Sequence, residues 1–201
     1  MILLEAMQEL LHCESVNGKT ASHAILAESD PSAILRRITL SNLAPGMLVL
    51  HIDSGRKVFY TSGKQRKTAA VCMSPLFSTT TGRDANRGCD AVLIYVPDEH
   101  SPTCEVFYIE LKSDSPADYA GQFRSTACFF QYVRILLQEF WGVEMTIARQ
   151  KYIVLYTNTR NAQPTLGKRP TRPDPKNANS PDRPEMHVVR NGMTKRCTEL
   201  F

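Results

Sequence analysis

Residues 90–112 read DAVLIYVPDEHSPTCEVFYIELK, and the fold follows from this stretch. Ala91 to Val96 is an unbroken β-prone run, and Glu105 to Lys112 is another. Between them, Pro97-Asp98-Glu99-His100-Ser101-Pro102 concentrates turn chemistry, because proline presets φ and Asp or Ser side chains bond the nearby backbone. The stretch therefore reads as a hairpin with a loop of about eight residues. Both strands are strongly apolar, as buried strands are.

Downstream, Ser115-Pro116-Ala117-Asp118 reads as a helix start, with a capping serine, proline at the first helical position and an acid three residues after the cap. Ala120, Phe123, Ala127, Phe130 and Leu137 recur at helical spacing, so the helix runs to about Phe140 and packs on the sheet. Lys151 to Tyr156 is a further buried strand. Pro164 to Pro184 holds half of the chain's 12 prolines among Lys, Arg, Asn and Asp, and is expected to be a flexible segment. Met186 to Arg190 reads as an edge strand.

Upstream, Leu3, Leu4, Met7, Leu10 and Leu11 give residues 1–13 the stripe of a short amphipathic helix. This segment lacks a basic leader and carries Glu5 and Glu9, so it is expected to belong to the mature fold rather than to a signal peptide. A second helix is expected to start near Ser29-Asp30-Pro31 and run through Leu35 toward Leu40. Met47 to Ile52 reads as a strand, Asp53-Ser54-Gly55 as a turn and Lys57 to Tyr60 as the return strand. Residues 61–88, polar and basic, read as a long loop. The whole implies an α/β fold, one domain over 1–201, with a central mixed β-sheet flanked by helices.

Net charge is only +4, but it is unevenly spread. Residues 36–87 hold nine Lys or Arg against Asp53 and Asp84, a local excess of +7. Such an imbalance beside carboxylates suits a polyanionic phosphate ligand. No apolar run is long enough to span a membrane. The six cysteines form no Cys-x-x-Cys pair, and the five histidines show no ligand spacing, so neither a zinc site nor a redox motif is expected. Scattered cysteines without a secretion signal fit a reducing cytoplasm.

Asp90 opens the first strand of the hairpin and Glu110-Leu111-Lys112 closes the second. Residues two apart on a strand share a face, so Glu110 and Lys112 project together. The loop length sets Asp90 opposite Leu111, within one residue of both; a bulge or a one-residue change in the turn would bring all three to one side. Two carboxylates supply hard oxygen ligands for Mg2+ or Mn2+, and the ammonium can position water or offset charge on a phosphate.

Asp90, a spacer, and Glu110-x-Lys112 on the next strand, followed by a helix, resemble the PD-(D/E)XK nuclease superfamily. The resemblance covers roughly Gly88 to Phe140. It implies a restriction-endonuclease-like fold and Mg2+-dependent hydrolysis of nucleic acid, DNA more than RNA, by a metal-activated water. It implies Asp90 and Glu110 as metal ligands and Lys112 as a catalytic residue. Cys89 stands where the family has proline. Gln122 matches a further active-site glutamine of the RecB-like branches, whose tyrosine four residues on is here Thr126. Glu5 is the best match to an additional acidic ligand on the preceding helix. Lys64, Arg66, Lys67, Arg83 and Arg87 are the candidate contacts to the nucleic-acid backbone. Cutting two strands with one site per subunit would favour a homodimer or larger complex. The competing expectation is a nuclease-fold module that binds nucleic acid, or serves assembly, without turnover.

Overall fold

The computed structural model describes residues 2–15, 23–28, 32–52, 59–62, 65–68, 85, 87–113, 117–157 and 178–200. The chain is α/β; the described residues form two mixed sheets, a two-stranded ribbon and two α-helices. Eleven strands are described: β1 Glu14–Ser15, β2 His23–Ala27, β3 Arg37–Ser41, β4 Met47–His51, β5 Phe59–Ser62, β6 Gln65–Thr68, β7 Ala91–Tyr95, β8 Thr103–Lys112, β9 Thr146–Tyr156, β10 Glu185–Val188 and β11 Thr194–Arg196. The helices are α1, Leu3–Leu10, and α2, Ala120–Leu136.

The large sheet has the order β1-β4-β7-β8-β9-β10. β4, β7 and β8 form an antiparallel meander, whereas β9 runs parallel to β8 and β10 parallel to β9. A parallel return needs a long crossover, which α2 supplies between β8 and β9. No helix among the described residues is long and apolar enough to cross a membrane.

Alternation along the strands divides the core in two. Leu48, Leu50, Val92, Ile94, Val106, Tyr108 and Val154 face one way and pack on Leu3, Ala6 and Met7 of α1 and Phe123, Phe130 and Val133 of α2. Met47, Val49, Leu93, Phe107, Ile109 and Leu155 face the other way, onto Ala24, Leu26, Ile38 and Leu40. Among the described residues both α-helices lie on the first face. The other face, expected to be helical too, is covered by the small sheet β11-β3-β2.

The second helix, expected from about residue 29 to 40, is thus replaced where described. Arg37-Ile38-Thr39-Leu40-Ser41 alternates with period two, buries Ile38 and Leu40, and pairs with β2 and β11. Distant side chains take the amides a helix would have used: Ser113 Oγ accepts from Ile34 and Leu35, and Asn191 Oδ1 accepts from Arg36 and Arg37. The expected cap at Ser29-Asp30-Pro31 lies outside the described residues.

β4 takes β1 and β7 as neighbours rather than a return strand at 57–60. Phe59–Ser62 pairs instead with Gln65–Thr68, so the beginning of the expected basic loop is a ribbon. Helix α2 begins at Ala120, four residues after Pro116, because Asp118 takes a left-handed φ of 58° that interrupts a helical path. Ser115 and Pro116 themselves lie outside the described residues. The helix ends in a π-helical turn, Leu137–Trp141, closed by Gly142 at φ 63°. The proline-rich segment is described only from 178 onward. There it is pinned: Asn179 bonds both the N–H and the C=O of Tyr152, and Asp182 pairs with Arg124 of α2.

Candidate active site

Ala91 pairs with Ile109 and Tyr95 with Glu105, so the next step of the ladder sets Asp90 across from Glu110. This register is one residue from the one read off the loop length, which had Asp90 facing Leu111. The observed pairing leaves nine residues between Tyr95 and Glu105, one more than the eight expected. Asp98 accepts from Ser101 N and His100 N, Ser101 Oγ accepts from Thr103 N, and β8 already begins at Thr103. The shift brings Asp90 level with Glu110, and its carboxylate reaches the N–H of Leu111, between Glu110 and Lys112. Glu110 and Lys112, two and four residues beyond Tyr108, stand on the helix-covered side at the open end of the hairpin, with Asp90 beside them.

Glu110 is only 1% exposed. Its Oε1 lies 2.7 Å from Lys112 Nζ, and its Oε2 is buried with no hydrogen-bond partner among the described residues. Burial pushes this carboxyl up to about 7. The Lys112 ammonium pulls the other way without cancelling it, the charge of Glu28 adds to the rise, and the main-chain amide of Asp90 opposes it. Asp90 is also buried, and its Oδ2 accepts the Leu111 N–H at 2.5 Å.

Gln122 sits in the first turn of α2, and its Oε1 accepts from Lys112 Nζ at 3.2 Å. Lys112 thus bridges the strand carboxylate and the helix amide. Asp90, Glu110, Lys112 and Gln122 are brought together. Glu5 is not: it is exposed, its Oε2 accepts from Ile2 N of its own helix end, and no described contact links it to Asp90 or Glu110. Helix α1 instead meets the far end of α2, where Trp141 Nε1 donates to Glu9.

Of the basic candidates, Lys64 and Arg83 lie outside the described residues, and Arg66 and Lys67 lie on the backbone of β6. Arg87 is exposed three residues before Asp90. The sequence reading missed Glu28, which follows β2 of the small sheet, its N–H bonded to Arg36 O. No spacing signal marked it, because its approach to Glu110 depends on how the two sheets stack.

Among the described residues no three His, Cys, Asp or Glu side chains form a ready cage for a metal ion. Two carboxylates suffice for Mg2+, which keeps several waters and completes its shell with phosphate oxygens. The buried Glu110 Oε2, without a partner among the described residues, is the oxygen such an ion would satisfy. A carboxylate, a second carboxylate across the ladder, an ammonium and an amide can together hold a hard cation, orient water and receive a phosphate. Comparison of the chain with protein-family models, with curated proteins and with solved structures found no match.

Proposed function

We propose that this chain is a Mg2+- or Mn2+-dependent nuclease with a restriction-endonuclease-like fold. The observation that carries the reading is the state of Glu110: deeply buried, one oxygen on Lys112, the other without a partner among the described residues, and Asp90 beside it. A buried ion pair is seldom kept for stability, and a perturbed carboxyl in such surroundings marks a working site. The element order supports the fold assignment, with a helix before the meander, the acids at its open end and a helix after Glu-x-Lys.

Asp90 and Glu110 are the residues that would hold the cation. When bound, Mg2+ supplies Lewis acidity to the scissile phosphate and acidifies the attacking water. Lys112 spends one N–H on Glu110 and one on Gln122. An ammonium has three donors, so one remains to orient water or to offset charge on the phosphate. Gln122 fixes the lysine from the helix side. The described cysteines are all free thiols, which supports a reducing compartment, the cytoplasm.

The test is cleavage of labelled DNA and RNA oligonucleotides in Mg2+ or Mn2+ against EDTA, for wild type, Asp90→Asn, Glu110→Gln and Lys112→Met. Metal-dependent cleavage by wild type alone supports the reading. Equal cleavage by folded variants removes it.

A further inference from the structure

Two departures from the family pattern meet in one hydrogen-bonded link. Cys89 stands in the place of the family proline, directly before Asp90. Thr126 stands in the place of the tyrosine, one turn after Gln122. The main-chain N–H of Cys89 donates to Thr126 Oγ1 at 2.9 Å, and the same hydroxyl donates to the Gln122 carbonyl at 2.9 Å. Thr126 is fully buried. One residue earlier on α2, Ser125 Oγ donates to Ala85 O at 2.8 Å, so consecutive helix residues grip the segment that leads into Asp90.

We propose that Thr126 is a positioning residue of this site, setting the helix turn that bears Gln122 against the strand start that bears Asp90. The inference rests on the nuclease reading for what the positioned groups do, but its geometry is independent of that reading. A hydroxyl that accepts from one element and donates to the other fixes both at once, whereas an apolar side chain of the same shape fixes neither. A proline at 89 has no N–H. The threonine therefore has a donor to accept from because residue 89 is not proline.

Thr126→Val keeps the volume and removes the link; Thr126→Ser keeps the hydroxyl. The valine variant is expected to lose about tenfold in kcat, as when a supporting contact to an active-site group is cut, with KM within about twofold of wild type. The Gln122 side-chain amide signals in a 15N–1H spectrum are expected to move in the valine variant and to return in the serine variant. Cys89→Pro removes the same link from the other side, and the double variant is expected to be no worse than the poorer single one. Wild-type kcat with unmoved Gln122 signals in Thr126→Val would overturn the proposal, as would strictly additive losses in the double variant. Should wild type cleave no substrate, the nuclease reading fails by itself, and the Gln122 signals still decide the link. Should Thr126→Val not fold, Cys89→Pro is read in its place against the same two criteria.

Discussion

Asp90 lies one step beyond the Ala91–Ile109 pair of the β7–β8 ladder, and its carboxylate accepts the N–H of Leu111, the residue that follows Glu110. The two acids do not compete for the same partners. Asp90 Oδ2 accepts the Leu111 amide, and Glu110 Oε1 accepts from Lys112. Repulsion between them is limited by those donors, and Glu110 Oε2 is left as the group with most to gain from a cation.

That imbalance predicts a gain in stability from an inactivating change. The folded-state pKa of Glu110 lies above its ordinary 4.5, at about 7, so the native state binds the proton more tightly than the unfolded chain does. Its contribution to stability is present below pH 4.5 and is lost as pH rises through 7. Glu110→Gln, neutral at every pH, is expected to be more stable than wild type at pH 8 by roughly 1–3 kcal/mol, with the difference gone near pH 4. Urea unfolding at the two pH values measures it. A less stable variant at pH 8 would contradict the burial argument.

A cation should relieve the same cost. Millimolar Mg2+ is expected to raise the Tm of wild type at pH 8 by about 2–4 °C, the shift that about 1 kcal/mol of binding gives in a chain of this size. Asp90→Asn and Glu110→Gln should show no such rise. A rise of equal size in all three would place the cation elsewhere.

Lys112→Met removes the charge that holds the Glu110 carboxyl down. The carboxyl then rises further, so the pH of half-maximal activity should move upward, and the rate should fall by roughly 100-fold or more. A pH–rate profile of the variant checks both. An unchanged midpoint would mean that the ascending limb does not report Glu110.

Gly46 tests the frame that carries the site. Its φ is +82°, its C=O accepts the Val96 N–H at 3.0 Å, and a Cβ there would lie 2.4 Å from Val96 O. Gly46→Ala is expected to cost roughly 2 kcal/mol or more, since both the backbone region and the strand contact resist it. Thermal unfolding measures this, and an unchanged Tm would show that β4 and β7 part more easily than their pairing suggests.

Local patterns made part of this architecture readable. Long apolar runs mark β7 and β8, and the charges at their open end stand out against them, so Asp90, Glu110 and Lys112 were legible as a group. Gln122 came from the resemblance to the RecB-like branches, and the bond it accepts from Lys112 is what α2 adds to that match. The register itself was not legible, because bonds made by Asp98 and Ser101 within the turn set where pairing begins, and a residue count ignores them. The small sheet was hidden for a different reason. β3 is five residues long, and its neighbour β11 lies more than 150 residues away. Nearby amides go to Asn191 and Ser113, partners that only the folded chain supplies. A capping signal at 29–31 was therefore read locally as a helix, and Glu28 was passed over with the strand it follows.

The position of a bound cation is the most direct measure of this site. In a crystal soaked with Mn2+, anomalous scattering is expected to place an ion about 2.0–2.3 Å from a carboxylate oxygen of Asp90 and from Oε2 of Glu110. An empty position between these two side chains at saturating Mn2+, or an ion bound only elsewhere, would contradict it.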